Sequence, residues 1–245
     1  MKRAILIGVA VAAVVIIAIG ALAYVAYFAG SSSSGSSTSC PQTAISLGSA
    51  RGYAVLAGSS ITNTGLTVLT GNLGLSPGTS VTGFPPGTVS GTQNVANGAA
   101  VTAKADLTTA YNDAKGRLNC AVTLAGNIGG TTLTPGLYKS TSSLAISSGD
   151  LTLNGQGNSS AVFIFQVASA LTTTSGRMVV LTNGAQASNV FWEIGSSATI
   201  GTTSTVYGTI LAYASITLDT GATLNGQALA MTAGVSLQAA TITAP

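Results

Sequence analysis

Two short stretches near the C-terminus repeat each other. Thr205-Val-Tyr-Gly-Thr-Ile-Leu-Ala212 aligns with Thr223-Leu-Asn-Gly-Gln-Ala-Leu-Ala230, 18 residues later. The strands that follow also match, Ser215-Ile-Thr-Leu218 and then Gly234-Val-Ser-Leu237. Upstream, AVFIFQV at Ala161–Val167 resembles NVFWEIG at Asn189–Gly195, and each precedes a Thr-bearing run, Ala170–Thr173 and Ser197–Ile200. A spacing of about 18–28 residues suits one turn of a β-solenoid made of a few short strands per coil. A sandwich has no need of such repeats.

The rest of the chain after Cys40 fits the same plan. Short apolar runs separated by Gly, Thr and Ser read as strands and turns. One segment differs. From about Val95 to Lys115 glycine is scarce, and Ala100, Ala103, Leu107, Ala110, Tyr111 and Ala114 fall at helical spacing. This predicts a single amphipathic helix, with Gly116 as its C-cap. The runs AVFIFQV, NVFWEI, YGTILA and GQALA are apolar on both faces and must be covered on both, and the helix is the available cover. The runs LTLN, ALTTTS, ATIGT, ITLDT and VSLQA alternate instead. Leu151, Leu171, Ala198, Ile216 and Val235 point inward; Thr152, Thr172, Thr199, Thr217 and Ser236 point outward and would align as a column in stacked coils. A second, less uniform outward column holds Asn154, Thr174, Gly201, Asp219 and Gln238. The aromatic residues Phe163, Phe165, Phe191 and Trp192 read as core beneath the helix.

Only 5% of the residues are charged, and none is histidine. The commonest general base and metal ligand is therefore absent. The few carboxylates are scattered, with Asp106 and Asp113 on the helix as solvated groups, so neither a cation site nor a paired-carboxylate hydrolase is expected. No basic patch exists for nucleic acid. The reading is a non-enzyme without cofactor, metal or small-molecule substrate.

Lys2 and Arg3 precede an uncharged apolar run from Ala4 to Phe28. At ~1.5 Å per residue that run spans roughly 37 Å, enough for a transmembrane helix and longer than a secretory signal core. The positive residues stay inside, so the remainder faces outward, tethered to the cell surface or secreted if the segment is cleaved. The expected organisation is an anchor or signal at 1–29, a Ser/Gly-rich tether at 30–40 and a β domain at 41–245. In an exported domain Cys40 and Cys120 read as a disulfide, two free thiols being the alternative.

At this point the words YAVLAGSSITNTG, LTVLTGNLGLSPGTSVTGFPPG, ADLTTAYNDAKGR, LTPGLYK, LTLNGQGNSSAVFIFQV, LTNGAQASNVFWEIGSSATIGT and GTILAYASITLDTGATLNGQALA occur in family order. From about Leu47 to Thr243 the chain resembles the microbial β-helical ice-binding proteins. The resemblance implies a discontinuous right-handed β-helix of triangular section, a long helix packed alongside and an N-terminal segment closing the body. It also implies binding to ice through a flat face left free by the helix, with no cofactor. Read with the alternation, the candidate ice-binding residues are Thr152, Thr172, Thr174, Thr199, Thr217 and Ser236 of a monomeric extracellular protein. A surface adhesin or structural envelope module without ice activity is the alternative, because the anchor and tether fit it equally.

Overall fold

The computed structural model describes residues 40–245. The apolar run Ala4–Phe28 and the tether lie outside the described residues. Among the described residues no helix is long and apolar enough to cross a membrane.

The first coil is β1 (Tyr53–Ala57), β2 (Ser60–Thr64) and β3 (Val68–Thr70); the second is β4 (Asn72–Leu75), β5 (Ser80–Thr82) and β6 (Thr88–Val89). Strand β7 (Gln93–Val95) leads into helix α1 (Gly98–Gly116). Then come β8 (Val122–Thr123), β9 (Gly126–Asn127) and β10 (Thr132–Leu133), followed by β11 (Gly136–Ser140), β12 (Leu144–Ile146) and β13 (Leu151–Asn154). The next coil holds β14 (Phe163–Val167), β15 (Leu171–Thr173) and β16 (Val179–Thr182), and the one after begins with β17 (Val190–Ile194) and β18 (Ala198–Ile200). The last coils are β19 (Thr205–Ala212), β20 (Ile216–Leu218), β21 (Thr223–Ala230), β22 (Val235–Gln238) and β23 (Thr241–Thr243).

Every strand pair is parallel, and successive strands of one coil join different sheets, as a solenoid requires. The stacking order is not the chain order. Strand β1 pairs with β21 and β2 with β22, so the first coil sits on the last one. The second coil and β7 continue the stack beyond it. Helix α1 then carries the chain back along the pile toward β8 at the other end. Its 19 residues span about 28 Å, close to six coil steps of ~4.8 Å, and the segment after the helix completes the return.

The helix forms where the sequence predicts. Asn97 caps it, its side-chain oxygen accepting from the Ala100 N–H at 3.0 Å. Its buried residues are Ala100, Ala103, Leu107, Ala110, Tyr111 and Ala114. The C-cap differs from expectation: Gly116 is still helical and the chain turns extended at Arg117. The side chain that closes this end comes from the sheet, since the Gln166 amide donates to the Ala114, Lys115 and Arg117 carbonyls. On the sheet, Leu56, Leu137, Ile164, Phe191, Leu211 and Leu229 meet the helix. Phe163, Phe165 and Trp192 are not under it as expected. They point into the solenoid, where Phe165 stacks on Trp192 at 4.0 Å between ring centroids. Alternation along β14 and β17 sends Phe191 to the helix and its neighbour Trp192 inward.

Asp106 and Asp113 are tied rather than merely solvated. Asp106 accepts from the Ser49 N–H at 2.7 Å and its hydroxyl at 2.6 Å, and Asp113 pairs with Arg117 at 2.7 Å. Cys40 and Cys120 form a disulfide, which fixes the start of the described chain to the segment after the helix.

Candidate functional site

The helix covers one sheet and, among the described residues, leaves the eight-stranded sheet bare. Its order is β5, β2, β22, β20, β18, β15, β12, β9. The buried side of the six inner strands supplies an aliphatic knob: Ile61, Val235, Ile216, Ala198, Leu171 and Leu144, none more than 2% exposed. Because side chains alternate, the next residue of each strand must face water. Register places those residues in a single row: Thr82, Thr62, Ser236, Thr217, Thr199, Thr172, Ala145 and Asn127. Seven steps of ~4.8 Å give the row a length of about 34 Å.

The flanking rows are mostly small as well, with Gln238 and Asp219 the larger members. On one side Ser60 pairs with Ser80, and the Ser215 hydroxyl donates to the Ser197 hydroxyl at 2.9 Å. On the other, Thr64 pairs with Gln238, and Thr174, Gly201 and Asp219 follow their strands at the same pleat. Within the main row Thr62 and Ser236 share a hydrogen bond of 3.1 Å. Thr173, the one hydroxyl of β15 that turns inward, accepts from the Gly201 N–H at 2.8 Å. Such cross-strand bonds and β-branched side chains hold the outward groups in fixed rotamers. The strands of this face contain no lysine or arginine, and Asp219 lies at its margin.

Thr172, Thr199, Thr217 and Ser236 thus lie adjacent in one row, and Thr174 stands one pleat away. Thr152 does not join them. It sits on β13, in register with Thr132 and Val180 on a different face. The reason is that the coil from Gly136 to Asn154 holds three strands, β13 being the third. Its contribution to the bare sheet is β12, so Ala145 takes the place assigned to Thr152; Asn154 is displaced with it. Arg177 also lies away from this face, 3.8 Å from Asp150. Sequence reasoning missed Thr62 and Thr82. A signal existed: VLAGSSITNTG at Val55–Gly65 follows the same order as ILAYASITLDTG at Ile210–Gly221.

The remaining side of the solenoid, the third face, is formed by β3, β6, β10, β13, β16, β23 and the first halves of β19 and β21, joined at Met178 and Thr205. Thr205, Thr223 and Thr241 are in register there, but the same face exposes Met178 and Val68 and carries Tyr207.

A family model described as Ice-binding-like matches residues 55–243. The chain is 46% identical over 192 residues to an ice-binding protein of Nostoc sp. (strain HG1), covering 78% of this chain and 71% of that one. It is 39% identical over 218 residues to an ice-binding protein of Flavobacterium frigoris (strain PS1), covering 82% and 76%. Its fold is similar to the crystal structure of an ice binding protein from an Antarctic biological consortium, with a TM-score of 0.83, 57% identity and coverage of 84% and 93%. The chain belongs to the ice-binding-like protein family.

Proposed function

We propose that this protein binds ice through its bare eight-stranded face. The observation that carries the proposal is the in-register row from Thr82 to Asn127, with small uncharged side chains in its main row. Ice presents an uncharged lattice of oxygens. A complementary surface is flat, rigid and modestly apolar, with hydroxyl and methyl groups at regular spacing. Threonine supplies both groups on a stiff χ1, so little side-chain entropy is lost on contact. Each hydroxyl holds ordered water, and many such contacts in register sum to adsorption that is effectively irreversible. Charged groups would keep their own hydration against the lattice, which fits their scarcity on this face.

The binding residues are then Thr62, Thr82, Thr172, Thr199, Thr217 and Ser236, with Thr174 at the flank. The resemblance implies that the solenoid is right-handed, and the face needs neither a cofactor nor a second copy. We further propose that the domain is exported and that the run Ala4–Phe28 tethers it. Cell fractionation tests the tether: the full chain is expected with the membrane, and recovery in the medium alone would refute anchoring. The ice reading is tested on the purified protein by thermal hysteresis, recrystallisation inhibition and partition into a growing ice hemisphere. Inactivity in all three would overturn it.

A further inference from the structure

The helix leaves the covered sheet open at its C-terminal end. There the outward column of the sheet changes character. From Leu56, Leu229 and Leu211 it passes to Glu193, Gln166 and Lys139, register partners on neighbouring strands. Together with Lys115 from the last turn of α1, these side chains line a cavity of about 320 Å³.

Its floor holds acceptors. Glu193 is 3% exposed and Gln166 4%. The Gln166 amide nitrogen is committed to the helix carbonyls, while its oxygen has no partner among the described residues. The Tyr111 hydroxyl lies beside the Glu193 carboxylate. Burial pushes the Glu193 carboxyl above its ordinary value, and Tyr111, Lys115 and Lys139 pull it back. The Gln166 oxygen is thus a buried acceptor left unmet, which is costly and uncommon. The mouth holds the opposite charge, since both lysines are exposed.

We propose that this cavity binds a small zwitterion with a primary ammonium, the chemical class of free α-amino acids. The ammonium donates to the Glu193 carboxylate and the Gln166 oxygen. The ligand carboxylate faces Lys115 and Lys139. A simple anion would meet Glu193, and a simple cation or metal ion would meet the two lysines. Only a ligand carrying both charges matches floor and mouth together.

Calorimetric titration of the full chain tests this, with glycine, L-alanine and L-serine as probes and acetate and methylammonium as the separate halves. The amino acids are expected to bind saturably, each half at least about tenfold more weakly. Lys139→Ala, at an exposed position, and Glu193→Gln, which removes a buried charge, are each expected to weaken binding about tenfold. Neither is expected to change ice partition or lower the unfolding midpoint. No binding of any amino acid up to ~50 mM, acetate binding as well as glycine, or affinity indifferent to Lys139→Ala would each overturn the proposal.

Discussion

The bare eight-stranded face and the third face are made by the same coils, a few residues apart along each turn. Both carry threonine ladders, since Thr172, Thr199 and Thr217 on one correspond to Thr205, Thr223 and Thr241 on the other. They differ in what stands between the threonines. The bare face has only Ser, Gly, Ala, Asn, Gln and one marginal carboxylate around its ladder. The third face interrupts its own with Met178, Val68, Tyr207 and the Asp150–Arg177 ion pair. Threonine frequency alone therefore does not tell the two faces apart. Evenness of height and absence of charge across neighbouring rows separate the two.

The largest effect is expected from placing a bulky ring on the even face. Thr199→Tyr or Thr217→Tyr should abolish most thermal hysteresis while leaving the unfolding midpoint unchanged, and Thr223→Tyr on the third face should leave hysteresis intact. Equal losses from Thr217→Tyr and Thr223→Tyr would extend the ice contact around the corner. Next come the aliphatic knobs behind each face. Ile216→Ala and Leu224→Ala are both fully buried truncations, each expected to cost about 2–5 kcal/mol by chemical denaturation. Only Ile216→Ala should also lower hysteresis per folded molecule, because only it lets the even face sag.

A pH series separates both open faces from the covered one. The Lys104 ammonium donates to the Ala230 and Met231 carbonyls where α1 docks, and burial lowers its pKa to about 8. Above that value the folded state has released a proton that the unfolded chain, with an ordinary value of 10.5, still holds. Stability should therefore gain from this group as pH rises from about 8 toward 10, and Lys104→Met should remove that slope. Ice activity per folded molecule should stay flat over the same range; a parallel change would mean that the helix side takes part in binding. The smallest expected effect is at the margin. Asp219→Thr should raise hysteresis by at most about twofold, as one hydration shell fewer opposes the lattice. A decrease would place the carboxylate among the working groups.

Much of this was legible from alternation. Ile-Thr-Leu at Ile216–Leu218 and Ala-Thr-Ile at Ala198–Ile200 state which side is wet, and burial follows them. The six buried helix positions were legible for the same reason, a period that burial enforces. What alternation does not state is which sheet a strand joins. Leu-Thr-Leu-Asn at Leu151–Asn154 alternates as well as its counterparts on the bare sheet, yet it lies one corner further round. Coil length decides that, and the Ser-rich connections around Leu144–Ile146 hid a whole strand. The stacking of the first coil on the last was hidden too, because pairing between Thr62 and Ser236 leaves no trace in local pattern.

The helix that returns the chain along the covered face also acts as a ruler. It joins β7 at one end of the pile to β8 at the other, so its length and the number of coils are set together. One coil adds ~4.8 Å to the pile, and one helical residue spans ~1.5 Å. A longer bare face therefore cannot be had by duplicating a coil alone. Each added coil calls for about three more helical residues. Three residues turn an α-helix by less than a full revolution, so the buried stripe of Ala103, Leu107, Ala110 and Ala114 would also have to be rewritten to keep facing the sheet. The size of the open face is fixed by an element that never touches it.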